Sequence, residues 1–104
     1  MTPSMQLEKA KALLSDPAKW AKGQYAKDKD GHAVHVHAPE AVSWCADGAV
    51  WAFYEKEAGA STYLERVVPE AFATVPQYND ALTDHKDLMA WFDRAIALAK
   101  EHGQ

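Results

Sequence analysis

The sequence predicts one small, mainly α-helical domain of about four helices with a short β-hairpin. Its 104 residues suit a single domain that buries its own core. The apolar share of 48% and the charged share of 25% are typical of globular proteins. Apolar residues recur at helical spacing, and a polar turn separates two extended runs. We therefore treat residues 1–104 as one domain.

The first part of the chain predicts a helix followed by a short helical turn. Ser4 suits the N-cap of the first helix. That helix should end near Ser15, because Pro17 disfavours helical geometry at the residue before it. Asp16 and Pro17 then suit the cap and the first position of the short turn, which Gly23 can end.

The middle of the chain predicts the hairpin and a central helix. Two extended runs flank the turn at residues 28–31, where Gly31 supplies the positive φ that such turns need. Pro39 predicts the start of the central helix, with Glu40 in its first turn. That helix would be apolar on most sides and largely buried, since it would carry Val42, Trp44, Cys45, Ala46, Ala49, Val50, Trp51 and Phe53.

Two further helices complete the predicted domain. Residues 58–60 break the central helix, and Ser61 or Thr62 caps the next helix, which ends near Pro69. A loop with at most a short turn covers residues 71–83. Asp84 then caps the last helix, whose apolar stripe is Leu88, Phe92, Ala95, Ile96 and Ala99.

Charge and composition exclude several classes of protein. The net charge of −4 and the absence of any basic run disfavour binding to nucleic acid and to anionic membranes. One cysteine cannot form an intrachain disulfide. The first residues carry charges where a signal peptide needs an apolar core, and no apolar run approaches the roughly 20 residues of a membrane span. The sequence predicts a soluble, cytoplasmic protein.

The segment around the predicted hairpin resembles a metal site. If Asp28 and Asp30 took the third and fifth positions of an EF-hand loop, Ala26 would be the first ligand and His37 the last. That loop needs an acidic first ligand and a final glutamate, so we exclude calcium.

Zinc is a second alternative, because His35 and His37 would share one face of a strand. A third ligand would have to be His32, Cys45, Asp80 or His85, and no spacing requires one. The simpler interpretation places both histidines in solvent, with Val34 and Val36 towards the core. We expect no metal and no cofactor.

Other polar residues offer a catalytic and a structural interpretation. Cys45 would lie about six residues into the central helix, beyond the end that activates thiols, so we expect a buried structural cysteine. Tyr78, Asn79, Asp80 and His85 form a polar cluster before the last helix. They could bind a ligand or act as an acid–base pair, or they could fix the loop.

The chain has four tryptophans at positions 20, 44, 51 and 91. Most should lie in the core, and any that is exposed would mark a binding surface. Together with the polar cluster, these considerations give Trp20, Tyr78, Asn79, Asp80 and His85 as candidate binding residues for a ligand or partner.

Several short motifs together resemble an uncharacterised family of small bacterial and phage proteins, known only as a domain of unknown function. They are Trp20 with Gly23 and Tyr25, the segment PEAVSWCADGA, the segment YNDA and the segment FDRAIALA. The family pattern is Trp-Cys-x-x-Gly-Ala, then Trp-Asn-Asp, then a Thr-His helix start, then Phe-Asp-Arg-Ala-Ile. Tyr78 replaces the tryptophan of the second motif, and Asp84 replaces the threonine before His85. The resemblance implies a shared fold and shared positions, and it implies no reaction.

Two functions remain open from the sequence. The leading hypothesis is a small binding or regulatory module that contacts a protein or a small ligand. The alternative is a small enzyme or metal-binding protein that uses Asp80 and His85, alone or together with Cys45 or the His35/His37 pair. A cavity that gathers Asn79, Asp80 and His85 would favour the alternative, whereas a flat apolar patch would favour the binding module.

Overall fold

The computed structural model describes residues 1–53 and 59–104, and it confirms a mainly helical domain with a small antiparallel sheet. No helix within these ranges is both long enough and apolar enough to cross a membrane. Ala58, one residue of the predicted helix break, lies outside the described ranges. The elements are α1 (Pro3–Leu14), a 3₁₀ turn (Pro17–Lys19), β1 (Ala26–Lys27), β2 (Ser43–Trp44), α2 (Ala46–Ala52), α3 (Ala60–Arg66), α4 (Val75–Ala81) and α5 (His85–Glu101).

The core lies where α1 and α5 pack against each other, with α2 against α1 and α3 against α5. The apolar stripe predicted for the last helix is confirmed, since all five of its residues are buried. Trp91 is fully buried in the same helix, and its indole Nε1 donates a hydrogen bond to the backbone oxygen of Leu64 at 3.1 Å. This bond fixes α3 against α5 and satisfies the only polar atom of the largest core side chain.

The helix caps agree with the sequence in two places and differ in two. Asp16 and Asp84 cap the 3₁₀ turn and α5, as predicted. The prediction of Ser4 as the first cap is wrong, because Thr2 accepts from Met5 N and Pro3 takes the first helical position. For α3, neither Ser61 nor Thr62 is the cap: both lie inside the helix, and Gly59 precedes it.

The predicted start of the central helix at Pro39 is wrong. Residues 39 and 40 lie in a turn, and the chain then pairs as β2 with β1, so that Ala26 faces Trp44. Helix α2 begins only at Ala46, with Cys45 as its N-cap. A proline suits a turn as well as a helix start, and here tertiary pairing of the segment around Trp44 outweighs the local helical pattern.

The predicted turn of the hairpin is confirmed. Gly31 has a φ of 82°, and its N–H donates to the backbone oxygen of Asp28. The second arm contributes only an isolated bridge between Lys27 and Ala33. It lies on the edge of β1 opposite β2, since Ala26 O accepts from Val34 N whereas Lys27 O accepts from Val42 N.

Helix α4 lies where the sequence predicted a loop. Thr74 caps it by accepting from Gln77 N, and Pro76 lies in its first turn. Asparagine and aspartate at positions 79 and 80 suggested a loop because they commonly occupy turns. Here the helix buries Tyr78 and Asn79 against the rest of the domain.

Candidate functional site

Asn79 is the centre of a buried hydrogen-bond network. Its Oδ1 accepts from the indole Nε1 of Trp20 at 2.9 Å and from the backbone N–H of Ala46 at 3.0 Å. Its Nδ2 donates to the backbone oxygen of Ala21 at 3.0 Å. The N–H of Ala46 is one of the unpaired donors at the start of α2, so Asn79 caps that helix from another element. The side chain thereby joins α4, α2 and the segment at residues 20–21.

Asp80 and His85 also form hydrogen bonds with backbone groups. Asp80 Oδ1 accepts from the N–H of Gly23 at 3.0 Å, which fixes the start of the segment that leads into β1. His85, at the first position of α5, has its Nε2 2.6 Å from the backbone oxygen of Leu14. Because a carbonyl oxygen only accepts, this Nε2 carries the proton and satisfies a free carbonyl at the end of α1.

The structure therefore joins four of the five candidate residues in one network of contacts, in which Asn79 Nδ2 also donates to Asp80 Oδ1 at 3.0 Å. Trp20 and Asn79 are joined in the interior, and Trp20 also meets the His85 ring edge-on at 6.1 Å. Tyr78 is buried against Trp91. Of the five candidate residues, Asp80 alone lines a described cavity. The cluster does not surround a shared cavity within the described part of the chain.

Cys45 lines the same cavity as Asp80, which we call the Cys45 cavity. Its volume is about 150 Å³. The thiol is buried, as predicted, but it caps α2 and does not lie inside a helix: Sγ accepts from Gly48 N at 3.3 Å. Burial raises the pKa of this thiol to about 11, which outweighs the lowering effect of the helix N–H groups. The thiol is therefore protonated at neutral pH. The cavity is lined by Gly23, Gln24, Tyr25, Cys45, Pro76 and Asp80.

Two aromatic side chains that the sequence did not single out as binding residues form an exposed stack beside this cavity. The rings of Tyr25 and Trp51 lie 4.8 Å apart and nearly parallel, at 13°. Tyr25 is 44% exposed and Trp51 is 42% exposed. The sequence placed Trp51 in a largely buried helix, but α2 is short and presents this residue to solvent. An exposed tryptophan is the feature that we expected to mark a binding surface.

The two histidines of the predicted hairpin adjoin this stack. His35 and His37 are exposed, as predicted, and Val36 between them is buried. With Trp51 they line a second cavity of about 310 Å³, the His35 cavity. We call Tyr25, His35, His37 and Trp51 the aromatic patch.

The histidines make hydrogen bonds that compete with a metal. His35 Nδ1 accepts from the backbone N–H of His37 at 3.1 Å, and His37 Nε2 lies 2.8 Å from the backbone oxygen of Trp51. Near the turn, ligand atoms of Asp28, Asp30 and His32 lie within 4.8 Å of one another. Asp28 Oδ1 already accepts two N–H groups of that turn, which accounts for its position there.

One further titratable group, Asp47 in the first turn of α2, was not predicted from the sequence. Burial raises the pKa of its carboxyl from 3.8 to about 6; the nearby charge of Glu65 adds to this, and a hydrogen bond from Ser61 opposes it. Its Oδ1 is buried and has no hydrogen-bond partner among the described residues. The sequence carried no signal for this environment, because an aspartate in the first turn of a helix is normally exposed and favourable.

Replacing Asp47 with asparagine should stabilise the protein at neutral pH. The folded pKa is above the unfolded one, so the stability linked to the protonated carboxyl is fully present below about pH 4 and is lost as the pH rises through about 6. Thermal unfolding of both proteins from pH 4 to pH 8 should therefore show an advantage for Asp47→Asn that grows with pH. The matched control is Asp87→Asn in the first turn of α5, where the exposed carboxylate favours the helix and its loss should destabilise. A constant difference between Asp47→Asn and the wild type at all pH values would contradict the buried-carboxyl explanation.

The motifs that suggested a family occupy structural positions. Trp44 donates its indole Nε1 to Val36 O at 3.1 Å, and Gly48 lies against the backbone of Tyr25. Phe92 is buried in the core, and Asp93 pairs with Lys11 of α1 at 2.6 Å.

Comparison with known proteins agrees with that resemblance. No curated protein and no solved structure matches the chain. One family model matches residues 1–98, and these include every motif quoted above except Ala99, the last residue of FDRAIALA. The chain therefore belongs to the family of unknown function DUF6197.

Proposed function

We propose that this protein is a small binding module that contacts a protein partner through the aromatic patch. The observation that carries the proposal is the stacked pair of Tyr25 and Trp51, each more than two-fifths exposed. Tryptophan and tyrosine are enriched among the residues that dominate binding energy at protein interfaces. Because the two rings stack on each other, their orientation is set before binding, which lowers the entropy lost on association.

The exposed groups around the His35 cavity support a protein partner. The His35 cavity has a volume of about 310 Å³. It opens beside exposed imidazoles that can donate or accept hydrogen bonds at the rim. The net charge of −4 disfavours nucleic acid as the partner.

Support for binding over catalysis comes from the roles of the polar residues. The alternative function uses Asp80 and His85, alone or together with Cys45 or the histidine pair. The His85 Nε2 proton is engaged by Leu14 O, and the Cys45 thiol is protonated at neutral pH. A thiol nucleophile would need an adjacent base or a lowered pKa.

The test compares patch variants in a measured complex. Proteins captured by the wild type would be identified, and the strongest would be purified and titrated calorimetrically. We expect Trp51→Ser, alone or with Tyr25→Ser, to weaken Kd by roughly 30-fold or more, the effect of an interface hot spot. The matched control is Met5→Ser on α1, an equally exposed apolar residue, and its Kd should stay within about twofold.

Two results would overturn the proposal. One is a partner whose Kd is equally insensitive to Trp51→Ser and Met5→Ser. The other is self-association of the wild type, measured by sedimentation, that Trp51→Ser abolishes, because the patch would then be covered by a second copy of the chain.

A further inference from the structure

The Cys45 cavity has the size of a site for one side chain. An apolar cavity of about 150 Å³ accommodates a benzene-sized group, whereas larger ligands and cofactors need roughly 300 Å³ or more. Tyr25 lines this cavity and also stacks on Trp51, so the cavity is continuous with the aromatic patch. A partner segment lying across the patch could therefore place one side chain in the cavity.

The charge of the cavity indicates which side chain fits. Asp80 is the one charged residue of the lining, and both hydrogen bonds that it receives from described residues end on Oδ1. Its Oδ2 receives none from the described ranges. The negative charges of Asp47 and Asp80 also act on the Cys45 thiol and raise its pKa. Lys22, the closest basic residue along the chain, is directed elsewhere, with Nζ bonded to Leu82 O and above the Trp20 ring.

We propose that the Cys45 cavity binds a basic side chain, lysine or arginine, of the protein partner. The aliphatic stem would lie against Tyr25 and Pro76, and the cationic head would meet Asp80 Oδ2 at the exposed rim. This inference rests on the proposed function, because it names the chemistry of the partner that adjoins the aromatic patch.

The experiment uses the full chain labelled with ¹⁵N and two small probes. Nα-acetyl-lysine methylamide supplies the basic side chain, and Nα-acetyl-norleucine methylamide supplies the same aliphatic stem without the charge. We expect the lysine probe to shift the backbone signals of Gly23, Gln24 and Asp80 saturably, with a Kd in the millimolar range suited to one side chain. The norleucine probe should bind at least about tenfold more weakly, since it lacks the charge-assisted bond.

Two variants test the role of the carboxylate. Asp80→Asn keeps an oxygen for Gly23 N and removes the charge, so binding of the lysine probe should fall about tenfold. Gln24→Glu adds a second carboxylate to the lining and should tighten binding several-fold, which provides a test if Asp80→Asn unfolds. Equal binding of both probes, no saturable shift at these positions, or an unchanged Kd in both variants would overturn the proposal.

A third variant separates this inference from the proposed function. Trp51 stacks on Tyr25 of the cavity wall, so Trp51→Ser is measured with the protein partner and the lysine probe is measured with the wild type. If Trp51→Ser loses binding of the protein partner and the wild type does not bind the lysine probe, binding through the aromatic patch is supported. The proposal of a basic side chain in the Cys45 cavity is then wrong. If the lysine probe binds and Trp51→Ser leaves the Kd of the protein partner unchanged, the proposed function is wrong.

Discussion

Gly48→Ala is expected to destabilise the protein by about 3 kcal/mol or more, at the upper end of what overpacking costs. A Cβ at this position would overlap the backbone oxygen of Tyr25 and lie 2.9 Å from its carbonyl carbon. Neither atom can rotate away, so α2 or the segment before β1 must move. The free energy of unfolding measured in urea would give the effect directly.

The sign of the change in unfolding free energy caused by Gly48→Ala identifies its physical cause. In an unobstructed helix, replacing glycine with alanine stabilises by roughly 0.5–1 kcal/mol. The control is Gly31→Ala, where φ is 82° and no atom lies within 4 Å of the added Cβ. That variant should cost only about 1–2 kcal/mol, for the left-handed backbone alone. If Gly48→Ala were as stable as the wild type, the close approach of α2 to Tyr25 would be wrong.

Gly48 also illustrates which structural features could be predicted from the sequence. The glycine and the alanine after it belong to one of the motifs that suggested the family, but no local rule states which backbone they approach. The last helix was predictable because its apolar stripe, its N-cap and its packing all indicate the same helix. The start of α2 was not, because the pairing of Trp44 with Ala26 joins residues far apart in sequence and overrides the local pattern.

The candidate site was less predictable than the fold. Asn79 and Asp80 were found from their residue types, which cannot distinguish a capping role from a ligand role. Tyr25 and Trp51 were missed as a pair because they lie on separate segments that meet only in the folded domain. Exposure of Trp51 depends on where α2 begins and ends, so the error in the predicted start of this helix also gave the wrong burial for its side chain.

Asn79→Ala should cost about 3 kcal/mol or more, since it removes the partner of several buried groups at once. Trp20 Nε1 and Ala46 N lose their shared acceptor, and Ala21 O loses a donor. Burial prevents water from replacing these bonds fully, and the loss is large for a domain whose total stability is of order 5–15 kcal/mol. Urea unfolding would measure the loss, and hydrogen exchange at the Trp20 indole N–H should accelerate, because that proton loses its acceptor.

Two neighbouring variants show whether the loss comes from this network. Asp80→Ala should cost only about 0.5–2 kcal/mol, because Asp80 is exposed and the N–H of Gly23 can reach water. Asn79→Asp keeps the acceptor for Trp20 and Ala46, but it loses the donor to Ala21 and places a second carboxylate beside Asp80. It should therefore be destabilised more at neutral pH than at acidic pH, where its carboxyl is protonated. If Asn79→Ala and Asp80→Ala had equal, small effects, Asn79 would not be the group that joins α2, α4 and the Trp20 segment.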